Sequence, residues 1–402
     1  MPSPAAVTAT ALSATLAVQA LVTMSSLAMP IMAPSAAPDI GSPPSVVVGV
    51  YSALVYLGAM TATLFCGGFV VRYGAILTSQ AALAICAAGL AIATAAAWPL
   101  LVVAALVVGL GYGPTTPASS HVLSRHTSPR LMSLVFSIKQ TGVPIGGMIA
   151  GVLIPALVVT WGWQGAAYAV GAIALAGALA IAPTRRRFDA DREPGATMFR
   201  GGLVEPLRLV LRDRALRTLV ITSSSFSATQ QCLTAFLVTY LVSDVKLTLV
   251  EAGLVLSVSQ AGGIAGRIVW GAVADWIGRA RAVLAGLGLA MAVTAGATAL
   301  FAPSWPMWAM FAVAAAYGAT AVGWNGVFLA EVARVAPRHE TSRATGGALT
   351  ITFAGVVVSP PLFGILVTLT GSYAAGFFVL AGFAALSGLV LSRPAPARPQ
   401  VA

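Results

Sequence analysis

The chain has 402 residues, of which 58% are hydrophobic and only 8% charged, with a mean hydropathy of +0.91. A soluble domain carries about 25% charged residues, so this composition excludes a soluble enzyme and points to a bilayer as the solvent. The net charge of +11 would suggest nucleic acid in a soluble chain, but here the basic residues fall between apolar runs, where they report membrane orientation instead.

At about 20 apolar residues per crossing, the chain holds roughly a dozen spans. Apolar runs predict them at 6–33, 45–71, 75–98, 100–123, 131–159 and 164–181 in the first half. The second half predicts 216–242, 250–274, 283–301, 307–335, 344–369 and 373–391. The first run has no preceding Lys or Arg and is too long for a signal-peptide core, so it reads as a retained span. Cys66, Cys86 and Cys232 lie inside apolar stretches and imply no disulfide framework.

With the N-terminus inside, one side collects Arg72, Arg125, Arg130, the arginines of 185–217, Arg279, Arg281 and those of 334–343, while the other holds only Lys246. This positive-inside asymmetry places both termini in the cytoplasm. The domain boundaries expected are a first bundle over 1–183, a cytoplasmic linker over 184–215, a second bundle over 216–392 and a tail over 393–402. Within the linker, Leu203, Leu207, Val210 and Leu211 share one face opposite Arg208 and Arg212, the pattern of a helix lying on a membrane surface, while a solvated linker that merely enforces orientation is the favoured reading.

The two halves repeat. Gly49, Gly58, Gly67 and Gly74 fall opposite Gly253, Gly262, Gly271 and Gly278 without a gap. Gly113, Arg125, His126, Arg130, Gly142 and Gly151 fall opposite Gly326, Arg338, His339, Arg343, Gly355 and Gly364. The fold class expected is an all-α membrane protein of twelve transmembrane helices in two pseudo-symmetric six-helix bundles, built by internal duplication. Glycines at helical spacing also serve plain close packing.

After the eighth predicted span the chain reads Gly271, Ala272, Val273, Ala274, Asp275, Trp276, Ile277, Gly278, Arg279. This resembles the G-x-x-x-D-x-x-G-R signature of the major facilitator superfamily, and the resemblance extends over nearly the whole chain through the six-plus-six symmetry and the basic central loop. In the first-half copy, Gly67 to Gly74, Val71 stands where the acid would be. The resemblance implies alternating access and a cytoplasmic latch of Gly271, Asp275, Gly278 and Arg279, with Arg130 as the partner of Asp275. It also implies that the fifth and eighth helices face each other across the junction of the bundles.

Ionisable residues deep in a span are costly and mark function. Lys139 lies nine residues past Arg130 and Arg267 eight residues before Asp275, about 13 and 12 Å of helix rise respectively. In the family's fold the two cations could reach one cavity, where they would attract an anion. The guanidinium suits a carboxylate's planar geometry and the ammonium acts as a point charge. The arrangement is similar to monocarboxylate and oxalate/formate transporters of the superfamily. Structural readings stand beside this one: Arg267 could pair with Asp275 or Glu331. By the same resemblance Gln140, Tyr112, Gln230, Gln231, Tyr317 and Asn325 are ligand-contact candidates, each equally an interhelical hydrogen-bonding group. Pro144, Gly146 and Gly147 partly match an antiporter element, G-P-x-x-G-G, and read first as a kink and close-packing site.

The function expected is secondary transport of a small organic anion, with a proton-driven drug or metabolite efflux antiporter as the alternative. No Ser/His/Asp set, zinc spacing or phosphate loop is visible in the spans, so no enzymatic activity, metal or cofactor is expected. The partners expected are a small-molecule substrate and the lipid bilayer, with a coupling proton open and no nucleic acid. A monomer in a bacterial inner membrane completes the expectation. No carboxylate sits centrally: Glu251 and Glu331 lie near span ends and Asp39, Asp244 and Glu340 in loops, so the sequence leaves coupling open.

Overall fold

The computed structural model describes residues 3–128, 131–195, 204–336 and 340–393, and among them every regular element is helical. In chain order the α-helices are α1 (Pro4–Ile40), α2 (Pro44–Tyr73), α3 (Ala75–Ala93), α4 (Trp98–Tyr112), α5 (Thr115–His126), α6 (Met132–Gln140), α7 (Gly142–Ala180) and α8 (Arg185–Phe188). They continue with α9 (Val204–Arg212), α10 (Arg214–Ser243), α11 (Leu249–Ile277), α12 (Ala280–Ala299), α13 (Met307–Ala321), α14 (Asn325–Val335), α15 (Thr341–Thr370) and α16 (Tyr373–Ser392). Arg130, Leu203, Arg338 and His339 lie outside the described residues.

Ten stretches among the described residues are long and apolar enough to cross a membrane. One of them, Leu134–Phe188, is 55 residues long, about 80 Å as a straight helix, far more than one crossing needs. It turns back at Gly162, whose φ of 70° and ψ of 171° no helix contains. The 30-residue α10 is not among the ten, because Ser, Thr and Gln dilute its apolar content. The predicted count of twelve crossings rests on that break and on α10.

Proline and glycine set the other interruptions. The fourth predicted span is two helices, α4 and α5, separated by Gly113 and Pro114. The fifth is α6 and the first part of α7, stepping at Thr141 just before Gly142 and Pro144, where the missing proline N–H removes a helical hydrogen bond. The tenth is α13 and α14, separated at 322–324. At the start of α11 the Thr248 N–H and hydroxyl donate to Glu251 Oε2 at 2.9 and 2.8 Å, while the Glu251 N–H donates to Thr248 Oγ1 at 3.2 Å, a capping box.

The helices group into two compact units. Unit 1 is Met1–Gly201 with Thr234–Ser257, and unit 2 is Gly202–Leu233 with Val258–Ala402, so α10 and α11 each contribute to both. In unit 1, α1 packs along α7 and α4 lies between α2 and α3. The Ser257 hydroxyl donates to Met148 O at 2.9 Å, holding the outer part of α11 on α7. In unit 2, α12 packs on α16 and the amphipathic α9 packs on α15, with Val210 buried and Arg208 and Arg212 exposed.

The glycine repeat is used for helix contact inside each unit. A Cβ on Gly58 would stand 2.6 Å from Leu106 O in unit 1, and one on Gly262 would stand 2.1 Å from Ala315 O in unit 2. Both distances are too short for any side chain, so these two positions let α2 meet α4 and α11 meet α13 backbone to backbone.

Candidate functional site

Unit 1 places a buried cation beside two interrupted helices. Lys139 sits in the last turn of α6 and is 2% exposed. Its Nζ donates to Gln19 Oε1 of α1 at 3.1 Å and to Thr116 Oγ1 of α5 at 3.3 Å. The Thr116 hydroxyl also lies 3.3 Å from Gln19 Oε1. Gln19 is itself buried, whereas Thr116 is exposed, so the cluster reaches an open face of the unit. Gln19 and Thr116 orient the ammonium through charge-assisted hydrogen bonds.

The local sequence explains the placement. Gly113 and Pro114 end α4 early and start α5 afresh, which puts Thr116 in a first turn. Gly142 meets α1 at Gln19 and Leu16 O, and Gly146 meets it at Ala20 O, so α7 approaches α1 closely enough for Lys139 to reach Gln19. Of Pro144, Gly146 and Gly147, all buried, Gly146 thus acts in helix contact. Tyr112 closes α4 half-buried, with its ring edge-on to Tyr56 at 5.8 Å between centroids, and Gln140 is half-buried next to Lys139.

Unit 2 builds a different cluster at its own interruption. Gln230 Oε1 of α10 accepts from Trp324 Nε1 and Asn325 Nδ2, both at 3.1 Å. Arg267 of α11 is half-buried, and its Nε donates to Val322 O at 3.2 Å. Trp270 Nε1, one turn on, donates to Ala319 O at 2.9 Å. Both carbonyls belong to the C-terminal end of α13, where the break leaves acceptors without an intrahelical donor and the helix dipole favours a cation. Gln231 is buried in α10. Tyr317 is fully buried with its ring against Phe377 at 6.4 Å, and its hydroxyl has no hydrogen-bond partner among the described residues.

Glu331, considered as an acid for Arg267, is committed elsewhere. It is 1% exposed and forms a two-pronged pair with Arg334, at 2.6 and 2.7 Å on the same helix. Asp275 and Arg279 are exposed after the core of α11, Gly278 adopts φ +66°, and Gly271 is half-buried with no neighbour where a Cβ would stand. Arg130, the suggested latch partner, lies outside the described residues.

At the first-half copy of the signature, where Val71 replaces the acid, the linker supplies carboxylates. Asp189 accepts from the N–H groups of Ile76 at 2.7 Å and Leu77 at 3.0 Å, capping the start of α3. Gly74, with φ +100°, makes room: a Cβ there would stand 2.2 Å from the Asp189 carboxyl carbon. Asp191 Oδ2 receives Arg125 Nη1 at 2.6 Å and His121 Nε2 at 2.9 Å, both from the end of α5. Burial alone would raise the Asp191 pKa, but the hydrogen bond from His121 and the charges of His121 and Arg125 outweigh it and hold the carboxyl below its ordinary value. The Glu193 N–H closes the strap on Val71 O at 2.8 Å.

Sequence reasoning missed Gln19, Thr116 and these linker acids. A glutamine inside the first apolar run was a readable signal, but nothing local ties Asp189 to α3, which it meets from 113 residues away.

Residues 14–346 match the family described as Major Facilitator Superfamily. The chain belongs to the major facilitator superfamily. Among curated relatives, a gentisate transporter of Corynebacterium glutamicum is 28% identical over 306 residues, covering 71% of this chain and 65% of the relative, so this superfamily member spans about two thirds of that protein. A hexuronate transporter of Bacillus subtilis is 23% identical over 361 residues, covering 80% and 79%. Among solved structures, a bacterial homologue of the human lysosomal transporter Spinster aligns with a TM-score of 0.72 at 16% identity, over 94% of this chain and 95% of that one. A nucleoside transporter aligns with a TM-score of 0.75 at 14% identity, over 94% and 98%. These likenesses establish the superfamily fold, a multi-pass all-helical membrane protein.

Proposed function

We propose that this superfamily member is a secondary transporter of a small organic anion carrying a carboxylate, and that Lys139 supplies the counter-charge. The observation that carries the reading is the 2%-exposed ammonium of Lys139, hydrogen-bonded to Gln19 and Thr116 beside two interrupted helices. A buried cation costs several kcal/mol to maintain, and interrupted helices are where transporters bind solutes. Relatives named for gentisate and hexuronate, both organic anions, support the same substrate class. Thr116, exposed and touching both Gln19 and Lys139, offers a hydroxyl to the same guest. Tyr112 and Gln140, close in sequence to that cluster, are assigned as further contacts.

In unit 2, Gln230, Gln231, Tyr317 and Asn325 remain contact candidates, and Arg267 has a structural duty at the end of α13 alongside any role toward substrate. The arginine distribution supports cytoplasmic termini in a bacterial inner membrane, and Gly271, Asp275, Gly278 and Arg279 keep their assignment as latch residues. The test is uptake of labelled mono- and dicarboxylates into proteoliposomes by the wild type and Lys139→Gln. The reading expects saturable uptake of at least one acid, lost in the variant while the protein still purifies folded. Uptake that survives the substitution refutes it, and drug resistance conferred on a sensitive host without any acid uptake favours the efflux alternative.

A further inference from the structure

A second basic feature lies away from Lys139, where the end of α2 meets the linker. Arg72, Tyr73, Leu77, Arg185, Arg192 and Pro194 line a cavity of about 340 Å³, all within unit 1. At about 30 Å³ per water this holds roughly ten waters, enough for a phosphate ester with a short polyol attached. Arg72 is half-buried, and its guanidinium carbon stands 5.5 Å from the Tyr73 ring centroid. Arg192 is exposed and is brought against α2 by the Glu193 N–H bond to Val71 O.

The charges nearby do not neutralise the pocket. Of the linker acids nearby, Asp189 already accepts from the Ile76 and Leu77 N–H groups with its two oxygens, and Asp191 is paired with Arg125 and His121. Arg185 Nε approaches the Asp189 carboxylate at only 3.8 Å, which leaves the rest of the guanidinium fork uncommitted by this contact. Glu193, Arg186 and Arg187 are all exposed next to it. Three guanidinium groups converging on a small concavity suit a phosphate group, whose oxygens accept paired N–H donors.

The apolar approach selects the source of that phosphate. Phe65, Phe69 and Tyr73 recur every four residues on α2, so they share one face, and they are 42%, 41% and 39% exposed. The Phe69 and Tyr73 rings touch, with centroids 5.8 Å apart. An aromatic stripe on a membrane-spanning helix that runs up to a cluster of arginines matches an acyl chain below and a charged headgroup above.

We infer that this pocket binds the phosphate headgroup of one anionic phospholipid, with the chain lying on the Phe65, Phe69 and Tyr73 stripe. The inference stands apart from the transport reading, since it involves neither Lys139 nor a translocated solute. Native mass spectrometry of the purified full chain, titrated with phosphatidylglycerol, phosphatidylcholine or inorganic phosphate, tests it.

One phosphatidylglycerol is expected to bind in preference to phosphatidylcholine, with inorganic phosphate far weaker. The combined Arg72→Gln, Arg185→Gln, Arg192→Gln variant should lose affinity by on the order of a hundredfold, from three arginines near an anionic surface. Arg192→Gln alone alters only an exposed loop residue, so it keeps the test readable if the triple variant fails to fold, and it should lose roughly fivefold. Equal binding of the two lipids overturns the inference, as does unchanged affinity in the variants. Inorganic phosphate binding as tightly as the lipid also overturns it and reassigns the pocket to a soluble phosphate compound.

Discussion

The two units carry their deep cations differently. Each interrupts the fourth span of its half within about one turn of the same place in the repeat, with Tyr112 closing α4 and Asn325 opening α14 when Gly113 is set against Gly326. In unit 1 the cation beside the break, Lys139, is held by side chains, Gln19 and Thr116. In unit 2, Arg267 is held by a main-chain carbonyl that the break itself leaves over, Val322 O. Side-chain partners can re-orient toward a guest, whereas the Val322 carbonyl is fixed by the backbone and also accepts from Asn325 Nδ2 at 3.4 Å. One duplicated scaffold thus meets its two deep cations with different kinds of partner, side chains in unit 1 and a main-chain carbonyl in unit 2.

The comparison can be broken by four experiments, taken from the largest expected effect to the smallest. Lys139→Gln should lower the apparent affinity for the transported acid by about 10- to 150-fold, the value of a charged hydrogen bond of roughly 1.5–3 kcal/mol, in a binding titration. Lys139→Arg should recover part of that loss because the charge is restored in a different shape.

Arg267→Ala should act on stability first. It strips a charged donor from the α13 terminus and should cost about 1–3 kcal/mol, read as a lower Tm in detergent. If Arg267→Ala leaves Tm unchanged while Lys139→Gln lowers it, the assignment of roles is reversed.

A second contrast between the units sharpens the first. Unit 2 keeps the acid of the repeated signature at Asp275, exposed, whereas unit 1 has Val71 there and receives Asp189 from the linker instead. Asp189→Ala should cost about 1 kcal/mol, as for loss of a helix cap, and should speed hydrogen exchange at Ile76 and Leu77.

The smallest effect concerns Asp191 and pH. Its folded pKa is depressed below 3.8, so its contribution is complete above that value and fades as the pH falls through the lower folded value. A fluorescent label at Arg192→Cys should therefore report a docked linker through the ordinary carboxylate range, loosening only as the pH falls through the lowered folded value. His121→Ala, by removing one of the two groups that hold the carboxylate, should move that release to higher pH. A release that does not shift would place the docking force elsewhere.

Much of the fold is legible from residues alone, because hydropathy is a local property. Most of the predicted spans coincide with helices to within a few residues, and the glycine register identifies contacts that recur in both units at Gly58 and Gly262. The kink read at Pro144 falls beside the step at Thr141, whereas the gap after Tyr112 goes unread although Pro114 announces it, since a proline near a helix start is equally compatible with an unbroken span.

The sequence by itself determined that this is a bilayer protein of duplicated helices, which family it resembles, and that Lys139 and Arg267 are out of place in apolar runs. Composition, period and spacing suffice for that, because they are read along the chain without knowing which helix packs alongside. Only the tertiary structure decided what each cation touches. Gln19 lies 120 residues from Lys139, and Val322 lies 55 residues from Arg267. Hydrogen-bond partners inside a membrane come from whichever helix packs alongside, and that packing is a property of the folded chain.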